Sequence, residues 1–277
     1  MSAAPLLRDR LEAAHKLFVG VVHLGPLPGS AGEAREGHPS EIGDVLAAAT
    51  ADARTLAEGG VDALIVENFG DAPFEPGRVA PETVAAMSRA VEAVTRAAPD
   101  VPVGVNVLRN DVRSALGLCA ATAASFVRVN VHVGAMVTDQ GILEGRSAET
   151  LRERARLCPR ALILADVHVK HVAPLVPRAI EDVAEETLGR GGADLCIVSG
   201  TGTGVAPAAE ELRRVQDACG SERLLIGSGL DATNGRALLG HARGAIVGTA
   251  LKVGGAVRAP VDLERVRALR GLFASGS

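Results

Sequence analysis

Five side chains that can take up or hold a proton, Glu67, His132, Asp166, His168 and Lys170, lie within or beside short valine- and leucine-rich runs. Carboxylates close to a lysine or an imidazolium can be moved to the pKa values that general acids and bases require. Brought around one cavity, these groups would do proton-transfer chemistry, with Glu67, Asp166, His132 and Lys170 as the catalytic candidates. The structural alternatives are a salt-bridged Glu67 and hydrogen-bonded core histidines at 132 and 168. A second kind of chemistry is written in three small, hydroxyl-bearing turns, Ser199-Gly200-Thr201, Gly227-Ser228-Gly229 and Gly248-Thr249. Glycine lets backbone N–H groups approach an anion, a following helix N-terminus adds a favourable dipole, and Ser or Thr adds a donor. These turns are expected to bind phosphate or a similar oxyanion, with Lys252 either assisting or merely solvated. His23, Asn68, Asp71, Asn106, Arg109, Asn110, Arg128, Asn130 and His168 are the expected substrate-binding residues. No cofactor signature is evident. A divalent metal on Glu67, Asp166 and a histidine has no H-x-x-x-H or D-x-D run to support it.

These groups need elements to position them. In Phe126 to Gly134 (FVRVNVHVG), Val127, Val129, Val131 and Val133 alternate with Arg128, Asn130 and His132, so an extended chain puts valines on one face and polar groups on the other. Leu162 to His171 (LILADVHVKH) repeats the pattern, with Asp166, His168 and Lys170 opposite Val167 and Val169. An antiparallel strand with one face in water would look the same. The context argues otherwise, because each strand is followed by a helical segment and another apolar strand, as in a parallel sheet covered by helices. Closed into a barrel, such a sheet turns its polar face to the axis, where function justifies the desolvation.

Apolar strand candidates occur eight times, at 17–23, 62–68, 101–107, 126–132, 162–168, 194–199, 223–227 and 244–249. Segments with helical spacing lie between them, at 44–58, 81–97, 111–123, 148–157, 177–190, 207–218, 232–239 and 262–273. Pro81, Pro177 and Pro207 mark starts, and Gly59-Gly60, Gly191-Gly192 and Gly220 mark ends. The expected fold is α/β, a (β/α)8 TIM barrel occupying residues 1–277 as one domain. A doubly wound sheet is the alternative, but its glycine turn, Gly200-Thr201-Gly202-Thr203-Gly204, is not G-x-G-x-x-G and follows the sixth strand. The proton-carrying and phosphate-binding candidates fall at the C-terminal strand ends, where barrels of this kind carry their sites. The loops at 25–40 and 69–80 exceed the usual connection of about two to six residues. Phe69 and Phe74, two of only five Phe in a chain without Trp or Tyr, either pin the second loop to the rim or stack on a ligand ring.

Composition removes several classes of partner. At 47% hydrophobic, 22% charged and a formal charge of -4, the chain has no electrostatic footprint for nucleic acid. No apolar stretch nears the roughly 20 residues that span a bilayer, and Arg8, Asp9, Arg10 and Glu12 interrupt the start, so neither signal peptide nor integral membrane association is expected. Four cysteines, far apart and without C-x-x-C, read as buried reduced thiols in a cytoplasmic protein. The expected partner is a phosphorylated small molecule, with a homo-oligomer left open.

Several runs together resemble the BtpA/SgcQ family: VVHLGPLPGS (21–30), DALIVENFGDAPF (62–74), VPVGVNVLRND (101–111), VRVNVHVGAMVTDQG (127–141), ADVHVKH (165–171), and IGSG followed by IVGTALK. The resemblance spans nearly the whole chain and implies a barrel of the ribulose-phosphate-binding kind. It implies no single reaction, since one branch is named for photosystem I biogenesis and another is labelled a nucleoside triphosphatase or sugar-metabolism protein. A scaffold has no reason to line a barrel with costly buried charges. The expected function is therefore an enzyme acting by acid–base chemistry on a phosphorylated sugar-like or nucleotide-like molecule. Isomerase or lyase chemistry through an enediolate ranks first, glycosidic cleavage by paired carboxylates second and a Schiff base at Lys170 third. Nucleotide phosphohydrolysis and a non-catalytic assembly role stand as alternatives.

Overall fold

The computed structural model describes residues 5–13, 15–37, 40–168, 173–200, 202 and 204–274. Eight parallel strands pair in chain order and close on themselves: β1 (Leu17–His23), β2 (Ala63–Glu67), β3 (Val103–Asn106), β4 (Phe126–Val129), β5 (Leu162–His168), β6 (Leu195–Val198), β7 (Leu224–Ile226) and β8 (Gly244–Val247). Around them run α1 (Ile42–Glu58), α2 (Pro81–Ala97), α3 (Val112–Ala121), α4 (Ser147–Leu157), α5 (Ile180–Leu188), α6 (Ala209–Cys219), α7 (Gly235–Leu239) and α8 (Leu263–Ala274). The closed barrel excludes the doubly wound alternative. Pro81 opens α2 as expected, whereas Pro177 and Pro207 precede the first residues of α5 and α6, whose N-caps Ala179 and Ala208 are still extended.

Period-two alternation sorts each strand between two cores. Inward residues, among them Leu17, Val19, Ile65, Phe126, Leu164, Ile197 and Ile246, fill the barrel. Outward residues, including Phe18, Leu64, Val105, Val127, Ile163 and Val198, pack under the helices against Leu56, Met87, Val91, Leu116, Leu212 and Phe273. Each such side chain, fully buried, contributes about 1.5–3 kcal/mol. A short helix, Leu7–Leu11, not foreseen in the sequence, stops the lower end, with Leu7 wholly buried in the inner core. Arg243 fastens it by donating to the carbonyls of Leu11 and Ala13 at 2.8 and 2.7 Å. Two polar strand starts have the same structural purpose. Asp62 accepts from Phe18 N at 2.8 Å and Asp194 from Ile163 N at 2.8 Å.

The upper end departs from expectation after β4. The strand stops at Val129, not His132, because the Asn110 side chain takes both backbone groups of Val131, donating to its carbonyl at 2.9 Å and accepting its N–H at 2.8 Å. Beyond it, Ala135–Thr138, Gly141–Glu144 and Ala173–Pro174 form a small antiparallel sheet. All four cysteines are reduced, and Cys119, Cys158 and Cys196 donate to the carbonyls of Phe126, Leu116 and Ala184 at 3.7, 3.6 and 3.9 Å. Cys119 and Cys196 are buried; Cys158 and Cys219 are only partly so. Among the described residues no helix is long and apolar enough to cross a membrane.

Candidate functional site

Inward positions are apolar in the lower barrel and turn polar or glycine at the upper ends: His23 on β1, Glu67 on β2, Asn106 on β3, Arg128 on β4 and Asp166 on β5, then Ser199, Gly227 and Gly248 just beyond β6, β7 and β8. Register makes neighbours of the first three, with His23 opposite Glu67 and Glu67 opposite Asn106. Side chains on adjacent parallel strands at matched register share a face, so one polar layer closes the apolar ones below.

Arg128 is the hub of that layer. Its Nε and Nη2 donate to the two oxygens of Asp166, each at 3.0 Å, and its Nη1 to Glu67 Oε1 at 3.3 Å. Burial alone would lower the guanidinium pKa, but Asp166 and Glu67 outweigh it and hold Arg128 above its ordinary value, a fixed cation. Asn130 Nδ2 donates to Asp166 Oδ2 at 2.9 Å and Ser199 Oγ to Asp166 Oδ1 at 3.4 Å. Each Asp166 oxygen therefore accepts twice, which fills the carboxylate's capacity. Glu67 differs. Its Oε1 accepts from Asn106 at 3.1 Å and from Arg128, while Oε2 lies 3.9 Å from His23 Nε2. The His23 ring leans on Phe69, centroids 4.7 Å apart. Asn130 Oδ1 is buried with no hydrogen-bond partner among the described residues.

A cavity of about 290 Å³ opens from this cluster toward the last two strand ends. His23, Glu67, Phe69 and Arg128 form one wall; Gly227 to Asp231, Gly248 to Ala250 and Arg265 form the other. Clearance explains the glycines. A Cβ on Gly248 would lie 2.7 Å from His23 Cε1, and one on Gly227 would lie 2.2 Å from Ser199 Oγ. Gly229, at φ 72°, has a backbone that L side chains rarely adopt, and a Cβ there would strike Ala206 N at 2.1 Å. The N–H groups of Gly229, Leu230, Thr249 and Ala250 donate to no protein acceptor among the described residues. They are available to an anion in the cavity.

Other expected site residues make contacts within the protein. His132 donates from Nε2 to the Gly191 carbonyl at 2.8 Å, since β4 has ended before it and the alternation no longer turns it to the axis. Burial lowers its pKa, Arg154 pushes the same way, and the Gly191 carbonyl opposes them. Asn68 clasps Leu108 and Asp71, and Asp71 accepts from Leu27 N, so both tie loops together. Asn110 holds Val131, as above. Arg109 stands 5.8 Å over the Phe74 ring, its pKa lowered by burial and raised in part by Asp139. Gly200 backs onto Val205, and Ser228 Oγ donates to Val205 O at 3.2 Å. Lys252 is neither a phosphate contact nor solvated: it is buried on Asp52 of α1. Lys170 and Thr201 lie outside the described residues, as does the side chain of His168. No group of three His, Cys, Asp or Glu among the described residues could hold a metal. Arg265 escaped sequence reasoning because no spacing links the last helix to the seventh and eighth strand ends.

The model of the BtpA family matches residues 14–274. The chain belongs to the BtpA family. This BtpA-family chain is 43% identical over 262 residues to the Photosystem I biogenesis protein BtpA of Synechocystis sp., an alignment covering 95% of this chain and 89% of that one. In fold it is similar to thiamine phosphate pyrophosphorylase from Pyrococcus furiosus, with a TM-score of 0.58, 16% identity and coverage of 96% and 97%. It is likewise similar to phosphoribosyl anthranilate isomerase from Thermus thermophilus, with a TM-score of 0.54, 14% identity and coverage of 93% and 98%. Both likenesses speak to the TIM-barrel fold.

Proposed function

We propose that this BtpA-family barrel is an enzyme that moves protons on a small phosphorylated molecule, by isomerase or lyase chemistry. The observation that carries the reading is the single cavity in which the glycine turns after β7 and β8 face Glu67, His23 and Arg128. The turns hold the phosphate and set the carbon skeleton beneath it against the acid–base groups. Glu67, with one oxygen toward His23, takes the proton; His23 receives or returns it. Arg128 stabilises the oxyanion that develops; Asp166 holds Arg128 in place, and Asn130 in turn holds Asp166. Asp166 thus positions and does not transfer protons. Glycosidic cleavage by paired carboxylates ranks lower for the same reason, since it asks Asp166 for a proton or a lone pair already committed.

A second reading, a non-catalytic assembly factor, is favoured by the named cyanobacterial relative. Against it stands the cost of desolvating Glu67, Arg128, Asn130 and Asp166 on the axis without a ligand to use them. A thermal-shift screen with inorganic phosphate, sugar phosphates and nucleotides, followed by NMR of each stabilising compound in deuterated buffer, separates the two. An enzyme stabilised by a sugar phosphate incorporates solvent deuterium into it or converts it. A binding factor leaves it unchanged. Borohydride trapping of an adduct lost in Lys170→Ala would turn the reading to a Schiff base.

A further inference from the structure

The anion seat has backbone donors, yet the cation expected beside it is absent. Lys252 is 2% exposed and spends its ammonium on Asp52, while Arg128 is clamped between Asp166 and Glu67. The remaining arginine on the described cavity wall is Arg265, the third residue of α8. Its Nη1 donates to the Ala250 carbonyl at 3.1 Å, and its Nε lies 3.9 Å from Asp262 Oδ2. The guanidinium is therefore carried on the turn Thr249–Leu251, whose residues Thr249 and Ala250 line the cavity. The side chain keeps 43% of its surface exposed, so a ligand can reach it. A cation in the first turn of a helix is opposed by the helix dipole, so helix stability does not explain the residue. Asp231, itself on this wall, has its Oδ1 occupied by Thr233 Oγ1 and the N–H groups of Thr233 and Asn234.

We propose that Arg265 is the cationic half of the phosphate seat and makes it selective for a phosphomonoester dianion; this rests on the phosphate reading above. The guanidinium edge not used by Ala250 pairs with phosphate oxygens while Gly229, Leu230, Thr249 and Ala250 donate from the backbone. The geometry also limits substrate length. Gly248 abuts His23, and a Cβ on Gly227 would lie 3.5 Å from Arg128 Nη2, so the acid–base groups begin within a few bonds of the phosphate. Substrates are accordingly triose- to pentose-sized phosphomonoesters. Calorimetric titration of inorganic phosphate and ribose 5-phosphate into wild type, Arg265→Ala, Arg265→Gln and Arg265→Lys tests this, with circular dichroism to verify folding. Affinity for both ligands should fall at least tenfold in the Ala and Gln variants and recover in part with Lys. Folded Ala and Gln variants that bind as wild type does would overturn the role of Arg265 and leave the seat standing. No binding by wild type would overturn the phosphate reading itself, and the inference with it.

Discussion

Arg128 touches two carboxylates whose surroundings assign them different duties. Asp166 accepts from Arg128 twice, from Asn130 and from Ser199, and has nothing left for a substrate; Glu67 lines the cavity and keeps an oxygen toward His23. Asp166→Asn should therefore lower the unfolding free energy by about 2–3 kcal/mol, since it leaves a buried guanidinium short of one charge. Glu67→Gln should cost about 10²–10⁴ in kcat while moving KM little. Paired denaturation and steady-state measurements check both, and the reverse pattern would exchange the two roles. His132 contributes to pH dependence away from the site. Burial holds its imidazole below the ordinary value, so between that lowered pKa and about 6.5 the unfolded chain binds more protons than the folded one. Stability should be fully present above that range and decline as pH falls through it. His132→Gln, which keeps a donor for Gly191, should flatten the fall in thermal midpoint; an unchanged pH profile would contradict this.

At the level of elements, alternation was the most informative signal in the sequence. β1 and β5 run over the expected residues, and the other six strands lie within theirs, because inward and outward cores both demand apolar side chains at period two. Strand ends were less legible. Val129 to His132 kept alternating on paper, yet a hydrogen bond from a distant side chain, Asn110, decided where β4 stops. The same non-local cause hid Arg265 and the Asp52 partner of Lys252. The helix Leu7–Leu11 was invisible for another reason: five residues carry too little periodicity, and its stability comes from docking. Leu7→Ala should remove about 2–4 kcal/mol by leaving a cavity under the inner core, read as a lower midpoint in urea without loss of ligand affinity. An unaltered midpoint would mean the plug contributes nothing.

Across the whole molecule, a formal charge of -4 works against anions. Under the proposed function, phosphate binding cannot be drawn from a general positive field and has to come from local groups, the residues Gly229, Leu230, Thr249, Ala250 and Arg265 that line one cavity. The barrel brings that seat and the polar layer of Glu67, His23 and Arg128 to the same end because every inward series ends there. One substitution reaches this seat directly. Gly229→Asp would set a carboxylate among the turn's donors. Calorimetric titration of inorganic phosphate into wild type and folded Gly229→Asp should give saturable heat in the first and none in the second. Equal binding by both proteins would place the anion elsewhere and contradict the account.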